Sequence, residues 1–208
     1  NSAFAMDEFA RSGLPWWPRA LGRRAIRPIS AKMAGYRPIL GIAPDTQAGI
    51  ESFTRQLIAR LDTHLATIPF LLGERPCLGD LALFGPLWAH LFRDPASTKL
   101  FDEAANVRAW FERLREPSGS SGAFLPEDAV PETLDPILRT LFDEQGASVR
   151  DLIAAIDGWC AAHPGAPRVP RSLGDHPFTI GGARGTRRLI TFTQWKAQRP
   201  LAAYAALS

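Results

Sequence analysis

Cysteine is scarce in this chain. Cys77 and Cys160 are the only two, too few for a disulfide framework or a cysteine-built metal centre, and consistent with a reducing, cytoplasmic compartment. The four histidines, His64, His90, His163 and His176, are far apart, and Cys160 with His163 is a lone pair well short of a zinc site. No metal is therefore expected. The longest apolar run, residues 81–92, contains Pro86 and His90 and is too short to cross a bilayer, so no membrane insertion is expected. The first residues, with Asp7 and Glu8, do not read as a signal peptide. The run Gly181-Gly182-Ala183-Arg184-Gly185 lacks the Lys-Ser/Thr pair and the flanking βα context of a phosphate-binding loop, which leaves a hairpin turn. No internal repeat is present.

What the chain does have is apolar residues in helical spacing, at a hydrophobic fraction of 46% that supports a real core. The clearest helix is expected over residues 45–67, with Asp45 as its N-cap. Ile50, Phe53, Leu57, Ile58, Leu61, Leu65 and Ile68 fall on one stripe there. Pro69 ends it. Residues 73–76 form a turn, and a second helix runs from Cys77 to about Phe92, apolar on nearly all sides and so expected at the centre of a bundle. Cys77 stands at its N-cap. Asp80, three residues on, is placed to reach back to the cap residue's N–H and to face the positive end of the helix. Capping is the reading for both residues, in preference to a reactive thiol or a catalytic acid.

Asn106 is expected to cap a further helix whose apolar face is Val107, Trp110, Phe111 and Leu114. Before residue 45 the pattern is helical but broken, with an interruption at residues 12–15, a second helix from Pro18 to about Met33 that Pro28 would kink or end, and a loop over residues 35–44. Two more helices are expected over residues 132–145 and 148–162, separated by Gly146. A short β-hairpin over residues 178–192 and a last helix over 193–207 complete the chain. The Ser-Gly run at residues 118–123 reads as a linker, dividing a helical domain (1–117) from a C-terminal extension (124–208).

Charge is uneven. Residues 1–40 carry net +5, residues 171–199 carry net +5, and the remainder carries −7. Basic ends of this kind attract nucleic acid or acidic ligands, but an Arg-rich solvated surface is the simpler reading, and no nucleic-acid partner is expected.

The stretch Phe70-Leu71-Leu72-Gly73-Glu74-Arg75-Pro76-Cys77-Leu78-Gly79-Asp80 resembles the Phe-Leu-x-Gly-x-x-Pro-Ser/Thr-x-x-Asp motif of the glutathione transferase family, in its all-helical C-terminal domain. Asn106-Val107-Arg108-Ala109-Trp110 resembles the Asn-x-x-x-Trp helix downstream. The likeness covers residues 45–116 well and 1–44 loosely. It implies a mainly α fold: a glutathione transferase C-terminal-like helical bundle, with extra helices and a short β-hairpin in the extension.

The sequence departs from the family at Cys77, which replaces the usual Ser or Thr. It departs again in the long tail, whose Trp195–Arg199 run looks like the tails of some divergent bacterial relatives. No βαβ pattern precedes residue 45, so the thioredoxin-like half that holds glutathione and the catalytic Ser, Tyr or Cys is not expected in this chain, and no catalytic residue is assigned. The resemblance implies glutathione as co-substrate, a small electrophile as acceptor and a homodimer. It implies transferase activity only together with the missing half, this chain alone being inactive. By position, Trp16, Trp17 and Tyr36 are the substrate-pocket candidates. The alternative is a non-catalytic docking module on the same fold.

Overall fold

The computed structural model describes residues 2–116 and 122–206. It is mainly helical, with one two-stranded antiparallel hairpin among the described residues, the fold class expected. The chain forms two compact units, Gly49–Arg150 and the pair of segments Asn1–Ala48 and Asp151–Ser208. These units are drawn differently from the division expected at residues 118–123, of which 118–121 lie outside the described residues.

In the first unit, α4 (Pro44–Leu65) buries Ile58, Leu61 and Leu65. They meet Phe70 and Leu71 from the following turn, Leu87 from the π-helical segment Gly85–Phe92, and Val107, Trp110 and Phe111 from α6 (Ala105–Arg115). Rings dominate this core. Phe111 sits between Phe92, Phe101 and Trp110 at centroid distances of 5.2 to 5.5 Å, and Phe84 meets Trp110 edge-on at 6.3 Å. Contacts of this geometry add to area burial. Helix α5 (Leu78–Phe84) runs into a widened π-helical segment, Gly85–Phe92. Pro86 accounts for the widening: it has no N–H to give the preceding turn and its ring crowds that turn's carbonyl.

The helix is not buried on all sides as expected. Only Asp80 and Leu87 are fully enclosed, while Leu78 and Leu81 are exposed. Leu83, Phe84, Trp88, Leu91 and Phe92 pack on the core from one side, so a sequence apolar all round still presents a single face to it. Residues 123–138 close this unit. Leu134 enters the core, with Ile137 and Leu138 against it. The backbone at residues 123–125 pairs with residues 72–74: Glu74 N–H donates to Ala123 O (2.9 Å) and Leu125 N–H to Leu72 O (2.9 Å). Gly73 is what permits this crossing. Its φ is 144°, and a Cβ there would lie 2.5 Å from Ala123 O.

Several boundaries move. The helix expected from Asp45 begins at Pro44, and its entry is tied by Thr46 instead: Ala43 N–H donates to Thr46 Oγ1 (3.0 Å), which donates to Gly41 O (2.6 Å). Residues 35–44, expected as loop, hold a one-turn helix α3 (Tyr36–Ile39). The two helices expected either side of Gly146 are joined without a break. Helix α7 (Asp135–Thr140) passes through a π-helical turn, Leu141–Gly146, into α8 (Ala147–Ala162).

In the other unit, α1 (Ser2–Gly13) packs on α2 (Arg19–Ala34), with Ala10 against Gly22. Pro28 lies inside α2 without ending it. The hairpin is longer than expected, β1 (Ser172–Ile180) pairing with β2 (Ala183–Ile190). Its two-residue turn, Gly181-Gly182, has both φ values positive, 54° and 82°, the geometry that matches strand twist in a tight hairpin. Helix α9 (Phe192–Ala205) follows.

Candidate functional site

Asp80 is completely enclosed, and its carboxylate gathers three donors from three segments. Oδ2 accepts from Cys77 N–H at 2.9 Å. Oδ1 accepts from Leu71 N–H at 3.0 Å and from the Trp110 indole N–H at 2.9 Å. The turn before α5, the start of α5 and the middle of α6 are thus tied to one side chain. The Leu71 and Trp110 donors are buried and would otherwise lack a partner. Because Asp80 is fully enclosed, no substrate reaches it, so the arrangement is an anchor and not an acid–base site. Cys77 completes a reciprocal cap, its sulfur facing the Asp80 backbone N–H. Burial, reinforced by the neighbouring Asp80 carboxylate, pushes the Cys77 thiol up. That is the wrong direction for a nucleophile.

Asn106 does not cap α6. The N-cap position is Ala104, and Asn106 lies in the first turn. The cap comes from another helix: the Asp62 carboxylate of α4 accepts from Asn106 N–H (2.8 Å), Val107 N–H (3.0 Å) and the Asn106 side-chain amide (3.1 Å). An ionised carboxylate reaching across the bundle outcompetes a neutral side chain for the positive end of the helix.

His64, beside the anchor, is also completely enclosed. Its Nδ1 lies 2.6 Å from Thr133 Oγ1, and its Nε2 makes no hydrogen bond of ordinary geometry. Burial lowers its pKa. Backbone groups of Leu71 and Phe70, and the Asp80 charge, offset part of that. The neutral ring is therefore favoured in the folded state, because burial disfavours the charged form. Because the folded-state value lies below the unfolded one of about 6.5, the stability this histidine confers is complete above that pH. It falls as the pH drops toward the folded-state value, by at most about 1.4 kcal/mol per pH unit. Urea midpoints taken between about pH 7.5 and about pH 5 should fall more steeply for the native chain than for His64→Gln. Parallel curves would remove this account.

The three pocket candidates differ in their surroundings. Trp16 is 94% exposed and Tyr36 is 44% exposed. Trp17 alone lines a small cavity of about 210 Å³, with Asp7, Arg11, Leu14, Pro15 and Gly22. In the other unit a groove of about 530 Å³ runs along α4, between Arg55 and Ile58 on one wall and Lys99 and Leu100 on the other. Asp62 and Glu103 line it too, so its charge is mixed. No group of three or more potential metal ligands occurs among the described residues.

Sequence reasoning missed Asp62, His64 and Thr133. None carries a local signature: Asp62 acts 44 residues away and His64 69 residues away.

No curated protein and no solved structure matches the chain significantly. The family model "Glutathione S-transferase, C-terminal domain" matches residues 51–117. That span contains α4 from its second turn, the Gly73–Asp80 turn and cap, α5 and α6, which are the elements Asp62 and Asp80 hold together. Residues 51–117, less than half of the chain, are thus similar to the C-terminal domain of glutathione S-transferases.

Proposed function

We propose that this chain is the acceptor-side, C-terminal part of a glutathione transferase-like protein. That protein conjugates glutathione to small electrophiles only when a thioredoxin-like N-terminal half supplies the thiolate site. The observation that carries this reading is the family match over residues 51–117, built around the enclosed Asp80 anchor. The chemistry needs donors that hold a thiolate and lower its pKa. Asp80 and Cys77 are committed elsewhere, so those donors belong to the other half. In this reading Trp17 is the pocket candidate with a cavity beside it, while Trp16 and Tyr36 contribute only once a further surface covers them.

A second reading, a non-catalytic docking module, is favoured by one observation. The unit Gly49–Arg150 carries net −5 and the other unit net +8, a separation suited to charged partners. Glutathione-affinity capture of the complete gene product separates the two. Retention with elution by free glutathione supports the transferase, whereas passage through the resin with a stable co-purifying protein supports docking.

A further inference from the structure

Between Glu8 and Asp45 the chain has no acidic residue and seven basic ones. This stretch forms the end of α1, the turn at Trp16 and Trp17, and helices α2 and α3. Within it, Arg23 is engaged by Asp7. The guanidinium and ammonium groups of Arg19, Arg24, Arg27, Lys32 and Arg37 belong to exposed residues.

The apolar residues of the same segment are exposed as well. Leu21, Ala25, Ile29 and Met33 recur every four residues, and all four face solvent. They form a row beside the buried pair Gly22 and Ile26 that meets the rest of its unit. Tyr36 and Leu40 continue the exposed apolar surface into α3 and just beyond, and Trp16 and Trp17 precede it. An apolar row with Arg24 one turn from Leu21 and Lys32 one turn from Ile29, preceded by two solvent-facing indoles, satisfies two demands at once. The row and the indoles suit the boundary between acyl chains and headgroups, where tryptophan concentrates. The cations suit anionic headgroups, each worth about 1 kcal/mol near such a surface. Nucleic acid would use the cations but leave the aliphatic row in water. No helix among the described residues is long and apolar enough to span a bilayer, so the contact is peripheral.

We infer that α2, with Trp16 and Trp17, is a docking surface for an anionic lipid bilayer, lying in the interface plane. Glutathione capture does not test this inference, but the inference excludes the pocket role of Trp16, Trp17 and Tyr36 in the transferase reading, because residues covered by a further surface cannot face a bilayer.

The test is flotation of the full chain with phosphatidylcholine vesicles, either pure or containing about 30 mol % phosphatidylserine, at about 0.1 M salt. The chain should float with the anionic vesicles and remain behind with the neutral ones. Arg24→Glu with Lys32→Glu should lower partitioning at least about tenfold, with an unchanged circular dichroism spectrum because both side chains are exposed. Trp16→Ala should lower it several-fold while leaving its salt dependence in place. No flotation with anionic vesicles would overturn the inference. So would flotation insensitive to the double charge reversal, or tight binding to duplex DNA or RNA together with no flotation.

Discussion

Asp80→Ala should destabilise the chain by about 3–5 kcal/mol, because it strands buried donors rather than merely removing one helix cap. The carboxylate satisfies the N–H groups of Leu71 and Cys77 and the indole of Trp110, and the side chain itself is fully enclosed. Water cannot replace it without opening the core. A lost cap alone costs about 1 kcal/mol, and each further buried donor left without an acceptor adds about 1–3 kcal/mol. Whole domains are stable by only about 5–15 kcal/mol, so the variant should stand near its unfolding threshold at ordinary temperature. Asp80→Asn keeps the shape and one acceptor oxygen but turns an amide toward a donor, and it should cost less, about 2–3 kcal/mol. Trp110→Phe removes one donor and keeps an aromatic ring in the core. Combined with Asp80→Ala in a double-mutant cycle, it should show a coupling of about 1–2 kcal/mol. Urea unfolding measures all of these. Unchanged midpoints for Asp80→Ala, or a coupling near zero, would mean that the three segments are held by packing alone.

Asp80 also shows how far the sequence could be read. Its cap spacing to Cys77 is local, three residues within one turn, and that much is visible in the chain. Its reach to Leu71 and Trp110 is not, since hydrogen bonds over 9 and 30 residues leave no periodic trace. The amphipathic stripe of α4, the apolar face of α6 and the Gly-rich hairpin were legible for the same reason, because short-range spacing fixes which residues share a face.

The burial of α5 was not legible. An apolar composition on all sides says what a helix tolerates, not what neighbours it receives, and Leu78 and Leu81 are left exposed. The join between α7 and α8 failed on glycine. Gly146 in sequence reads as a break, but a helix already held on both sides carries one glycine at a cost of only about 1 kcal/mol. For the pocket candidates Trp16, Trp17 and Tyr36, the signals were aromatic residue type and position in the resemblance, neither of which fixes what surrounds a side chain.

Asp62→Ala is the second substitution with a large expected effect, about 2–3 kcal/mol. Helix α6 begins at Ala105 after Ala104, a residue with no side-chain acceptor to offer. Its first N–H groups are met by the Asp62 carboxylate, at 2.8 Å for Asn106 and 3.0 Å for Val107, with the Asn106 side-chain amide at 3.1 Å. Losing a good N-cap costs about 0.5–2 kcal/mol. Losing a negative charge at the positive end of a helix adds up to about 1 kcal/mol at a partly buried site. The consequence reaches the core, because Val107, Trp110 and Phe111 all lie on α6 and are fully buried. Asp62→Asn separates the two contributions. It keeps an acceptor for the backbone but no charge, so it should recover about half of the loss and lose its salt dependence. Hydrogen exchange supplies a site-resolved check. In Asp62→Ala the amides of Asn106 and Val107 should exchange faster than those of α4, as a fraying helix start requires. Uniform acceleration throughout the unit would instead show that Asp62 acts on global stability with no special hold on α6. Protection unchanged at Asn106 and Val107 would show that the first turn of α6 does not depend on Asp62.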